Sequence, residues 1–91
     1  MPTVRVIVRG SVQGVGFRAY AEMQAKALRL DGWVRNRSDG TVEAMLSGET
    51  AVIERMLMAL RVGPPHSDVI NVRSTPEEGT LEPGFRVLPT A

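Results

Sequence analysis

The sequence has no cysteine and one histidine, His66. Without cysteine there are no disulfides, no thiolate nucleophile and no cysteine-based zinc site. With one histidine there is no multi-histidine metal site. Aromatic residues are few: Phe17, Tyr20, Trp33 and Phe85. An RNA-binding sheet needs exposed aromatics on its central strands, and these four are too few and too scattered to supply them. No segment approaches the roughly 20 apolar residues that span a bilayer. The first ten residues alternate charge with valine instead of forming a basic-then-apolar leader. The expectation is a soluble, cytoplasmic chain with no membrane partner. Its chemistry must come from Arg, Asn, Gln, Ser, Thr, carboxylates and the backbone.

What is present fits one small domain over residues 1–91, since 43% of the chain is hydrophobic, enough for a single modest core. A net charge of +1 makes no case for nucleic acid. The charge is unevenly spread. Residues 1–40 carry Arg5, Arg9, Arg18, Lys26, Arg29, Arg35 and Arg37 against Glu22, Asp31 and Asp39. The rest of the chain is net acidic. This skew suits a small anionic ligand near the N-terminal half, and chance over short windows gives the same skew. The excess of arginine over lysine needs no more than genomic base composition.

Residues 3–9 alternate β-branched residues and predict a strand with Val4, Val6 and Val8 on one face. Phe17, Ala21, Ala25 and Leu28 then fall at helical spacing, which predicts a helix over 18–29 ended by Asp31-Gly32. Residues 33–37 and 41–46 read as two strands joined by a Ser38-Asp39-Gly40 hairpin. In the second of them Val42, Ala44 and Leu46 should face inward, and Thr41 and Glu43 outward to solvent. Val52, Ile53, Met56, Leu57 and Leu60 mark a helix over 49–61, stopped by Gly63-Pro64-Pro65. A strand over 69–74, a polar loop over 75–84 and a short edge strand over 85–88 complete the chain. The order βαββαβ predicts an α+β, ferredoxin-like split β-α-β sandwich: an antiparallel sheet, both helices on one face, and a short extra C-terminal strand.

Fold alone names no function. The informative segment is Gly10-Ser-Val-Gln-Gly-Val-Gly-Phe-Arg18, between the first strand and the first helix. Gly14 and Gly16 let the backbone curl, so that successive N–H groups can converge on an anion at a helix N-terminus. Arg18 lies in the first helical turn, where a cation opposes the helix dipole. A bound phosphate would explain it, because the guanidinium fork can hold two phosphate oxygens. The glycine spacing fits equally a tight strand-to-helix connection. It is not a Walker loop, because no Lys-Ser/Thr follows, and it lacks dinucleotide-fingerprint spacing.

This segment, with Gly32-Trp-Val-Arg-Asn36, Asp39-Gly-Thr-Val-Glu43 and Gly48, resembles the acylphosphatase family. The resemblance continues through Gly63-Pro-Pro and Phe85-Arg-Val. It departs from the family pattern at Ser11, where a basic residue is common, at Arg29, where a glycine is common, and at Ser67, where alanine is commoner. The change at Arg29 bears on how the first helix ends.

The resemblance implies a metal-independent, cofactor-free hydrolase that takes a small-molecule acyl phosphate and releases inorganic phosphate. A monomer is the expected form, with the short C-terminal strand as the edge open to association. Arg18 would bind the phosphoryl group, with the backbone of Gln13, Gly14, Val15, Gly16 and Phe17, and Asn36 would position the attacking water. Asn36 by itself is also an ordinary strand-end residue with a routine hydrogen bond. Trp33 suits packing better than ligand stacking, Tyr20 the core or its rim, His66 a solvated loop, and Arg35 and Arg37 a solvated strand face. The competing function is a binding module that keeps the phosphate cradle without turnover.

Overall fold

The protein is described over all of residues 1–91 by a computed structural model. Strand β1 (Thr3–Ser11) is followed by α1 (Phe17–Ala27), β2 (Asp31–Asn36), β3 (Val42–Ser47), α2 (Thr50–Val62), β4 (Asp68–Glu77) and β5 (Phe85–Val87). The five strands form one sheet in the order β4-β1-β3-β2-β5. The first four pair antiparallel, as a split β-α-β duplication requires. β5 is the edge strand expected at the C-terminus, but it runs parallel to β2. The sheet is therefore mixed, not purely antiparallel. The chain leaves β4 at one edge and reaches the opposite edge through residues 78–84, so β5 enters alongside β2 in the same direction.

Alternation along the strands and the 3.6-residue period along the helices meet in one core. Val6 and Val8 of β1, Val34 of β2, and Val42, Ala44 and Leu46 of β3 face Phe17, Ala21 and Ala25 of α1 and Ile53, Met56, Leu57 and Leu60 of α2. Val4 packs partly buried against the same cluster. β4 continues past the expected boundary: Thr75, Pro76 and Glu77 pair with Arg5, Val4 and Thr3. The polar composition of this stretch hid a strand that long-range pairing creates. Pro76 is tolerated because β4 is an edge, where a missing N–H costs no ladder bond.

Thr41 and Glu43 are not the exposed groups that alternation suggests. They are 5% and 3% exposed. Thr41 folds into the hairpin. Glu43 does face away from the helices, but the arginines of the flanking strands cover it: Arg5 of β1 pairs with one carboxylate oxygen and Arg35 Nε with the other at 2.8 Å. Arg5 Nε also binds Glu77 at 2.9 Å. Arg35 is thus half-buried and ion-paired, and its guanidinium stacks on Trp33 with 4.7 Å to the ring centroid. Removing a buried carboxylate from such a group costs up to about 3–5 kcal/mol when the partner charges stay dry. Here both arginine side chains are about one-third exposed, at 37% and 32%, and can rehydrate. Glu43→Ala is therefore expected to cost less, about 1–2 kcal/mol. Urea unfolding of the two proteins measures it.

Arg29 is the one non-glycine residue with positive φ, at 58°. It ends α1 in a Schellman arrangement: Leu30 N–H donates to Ala25 O at 2.9 Å and Arg29 N–H to Lys26 O at 3.1 Å. This geometry needs a left-handed residue after the helix, which accounts for the glycine common there in the acylphosphatase pattern. A side chain in this conformation costs about 1–2 kcal/mol. Glycine returns part of that through the freedom it gives the unfolded chain. Arg29→Gly is expected to raise stability by about 0.5–1 kcal/mol, a few degrees of Tm by calorimetry.

Candidate active site

The curl between β1 and α1 is set by two left-handed glycines, Gly14 at φ 75° and Gly16 at φ 78°. A Cβ at either position would meet open space, so the dihedral, not crowding, is what demands glycine. Gly16 is also the N-cap of α1, and no side chain caps the helix. The first helical hydrogen bond is donated by Tyr20 N to Gly16 O, at 3.0 Å. None of the backbone N–H groups of residues 13–19 donates to a carbonyl of the protein. A run of unpaired donors at a positive helix end is a site for an anion.

Arg18, Gly14, Gly16 and Phe17 line a cavity of about 340 Å³, and Asn36 lines it from β2. Residues 18 apart in sequence thus meet, because α1 packs over β2 and Asn36 has the same strand parity as the buried Val34. The guanidinium of Arg18 forms no ion pair. Glu22, one helical turn on, also lines the cavity but gives its carboxylate to Lys26 at 3.2 Å. The acid nearest in helical register is therefore engaged elsewhere.

Two of the expected loop residues do not line the cavity. Val15 packs partly buried against the core. The Gln13 side chain turns toward the β2–β3 hairpin, where Nε2 donates to Arg37 O and Thr41 O, each at 2.8 Å. Their backbone N–H groups remain in the unpaired run. Glu22 and Val87 are lining residues that the sequence reading omitted. Glu22 had a signal, its i+4 spacing from Arg18. Val87 had none, because its position depends on the parallel pairing of β5 with β2.

The strand end that carries Asn36 is tightly held. Asn36 opposes Val42, and its carbonyl accepts from Ala91 N at 3.0 Å. Arg37 N donates to Thr41 O at 2.9 Å, closing the hairpin. The Asp39 carboxylate accepts from Thr41 Oγ1 at 2.6 Å and Thr41 N at 3.0 Å. Those bonds, the hydroxyl first, hold its carboxyl below the usual carboxylate range. Tyr20 lies at the core rim, donating its hydroxyl to Ala59 O at 2.8 Å. No group of three or more His, Cys, Asp or Glu side chains comes together to hold a metal ion.

The chain as a whole has known relatives. The acylphosphatase family model matches residues 4–87. An acylphosphatase of Rhodospirillum rubrum is 48% identical over 90 residues, covering 99% of both chains. An acylphosphatase 2 of Ralstonia nicotianae is 50% identical over 91 residues, covering 97% of this chain and 96% of the relative. The crystal structure of acylphosphatase from Bacillus subtilis superposes with a TM-score of 0.92 at 36% identity, over 97% of this chain and 99% of that one. In sequence and in fold, the chain belongs to the acylphosphatase family.

Proposed function

We propose that the protein hydrolyses the carboxyl-phosphate bond of acyl phosphates, giving a carboxylate and inorganic phosphate. One observation carries this reading: Arg18, which has no ion-pair partner, and Gly14, Gly16 and Phe17, whose N–H groups donate to no carbonyl, line the same cavity as Asn36. Phosphoryl transfer needs positioning and charge stabilisation more than covalent help. The N–H groups of residues 13–18 and the Arg18 fork hold the phosphoryl oxygens and neutralise their charge. The Asn36 amide, with a donor and an acceptor end, orients a water for in-line attack. The water oxygen bonds to phosphorus as the bond to the acyl oxygen breaks, and the carboxylate leaves with the electron pair. Its low basicity makes a general acid unnecessary, and a phosphoryl oxygen takes the water's proton.

The test is hydrolysis of acetyl phosphate and benzoyl phosphate by the purified protein with excess chelator present. Turnover is expected to survive chelation, with inorganic phosphate inhibiting competitively. Phosphate binding without turnover would replace the enzyme with a phosphate-binding module. Activity lost on chelation and restored by metal would overturn the mechanism.

A further inference from the structure

The Gln13 side chain reaches out of its own loop to the β2–β3 hairpin. Its amide has two hydrogens, and both are used, on the carbonyls of Arg37 and Thr41. Both partners are acceptors only, so the amide orientation is fixed by chemistry. Arg37 directly follows Asn36, and Arg37 and Thr41 are the residues that close the hairpin. These are the only hydrogen bonds that tie residues 12–16 to β2 or to the turn after it. The loop that presents the N–H groups is thus clamped to the strand end that presents Asn36. Everything else between them is packing, through Val12 and Phe17 in the core.

In-line attack is sensitive to this spacing, because the water on Asn36 and the phosphorus in the loop must align within a fraction of an ångström. We propose that Gln13 is a positioning residue for the reaction, acting through Asn36 by fixing the distance and angle between the phosphate loop and the water-orienting amide. The inference rests on the hydrolase reading above. It assigns Gln13 no contact with substrate through its side chain.

Gln13→Met keeps the length of the side chain and removes both donors, and Gln13→Ala removes the side chain outright. Either should lower kcat by about 10- to 100-fold, the scale of a small misplacement of reacting groups. The inhibition constant of inorganic phosphate should change less than about threefold, since the loop N–H groups and Arg18 remain. The deciding measurement is a double-mutant cycle with Asn36→Ala, with thermal unfolding of every variant to confirm that it is folded. If Gln13 acts through Asn36, its replacement has little further effect on kcat once Asn36 is gone. An equal loss of kcat in both backgrounds overturns the proposal, as does a loss confined to phosphate affinity. Should one Gln13 variant fail to fold, the cycle is run with the other. A wild-type protein with no turnover removes the hydrolase reading itself, an outcome distinct from an additive cycle.

Discussion

Arg18→Ala is expected to lower kcat/KM for acetyl phosphate by about 10³- to 10⁵-fold, the range that a transition-state arginine supplies in phosphoryl transfer. It should also abolish competitive inhibition by inorganic phosphate in the millimolar range. Both effects follow from one feature: the guanidinium faces the cavity with no carboxylate to neutralise it, because Glu22 is paired with Lys26. The loop N–H groups alone offer dipoles, whereas Arg18 offers a full charge and a planar fork. Arg18→Lys separates these contributions. It keeps the charge and loses the bidentate geometry, so it should recover part of the binding and little of the rate. Calorimetric titration with phosphate and steady-state kinetics read the two quantities independently. A variant with near wild-type turnover would sink the assignment.

Asn36→Ala should behave differently. Turnover is expected to fall by about 10²- to 10³-fold, comparable to removing one preorganised polar group from a reaction site. Phosphate affinity should change by no more than about twofold if the Asn36 amide, as proposed, holds water and not the phosphoryl oxygens. The backbone should tolerate the change, since it is fixed by pairing to Val42 and by the Ala91 hydrogen bond. Asn36→Asp keeps the shape but places a negative charge beside the phosphate, so it should weaken both binding and turnover. If Asn36→Ala loses phosphate binding as strongly as Arg18→Ala does, then Asn36 is a ligand of the phosphate and the water must be held elsewhere.

The element order was legible because each signal was local. Valine alternation marked β1, the Phe17–Ala21–Ala25 spacing marked α1, and Asp39-Gly40 marked the hairpin, which Thr41 closes on the Asp39 carboxylate. The larger misreadings were non-local. Glu43 looked like a solvent-facing carboxylate because alternation gives the face of a strand but not what lies across it. Only the register of β1 and β2 against β3, with Arg5 opposite Met45 and Arg35 opposite Glu43, brings two arginines over it. Residues 75–77 looked like loop because their composition is polar and includes a proline, yet an edge position beside β1 makes them strand.

The candidate site divides along the same line. The curl at Gly14 and Gly16, the helix start that follows it and the cation at Arg18 are properties of nine consecutive residues, and the sequence by itself determined them. Strand alternation also set Asn36 on the face opposite Arg35 and Arg37. That Asn36 and Arg18 open into one cavity was decided by tertiary structure, through the packing of α1 across β2. So was the direction of the Gln13 side chain, whose partners lie 24 and 28 residues away. Dihedral preferences and periodicity act over a few residues and can be read along the chain. A hydrogen bond between a loop and a distant hairpin exists only once the sheet has set their distance.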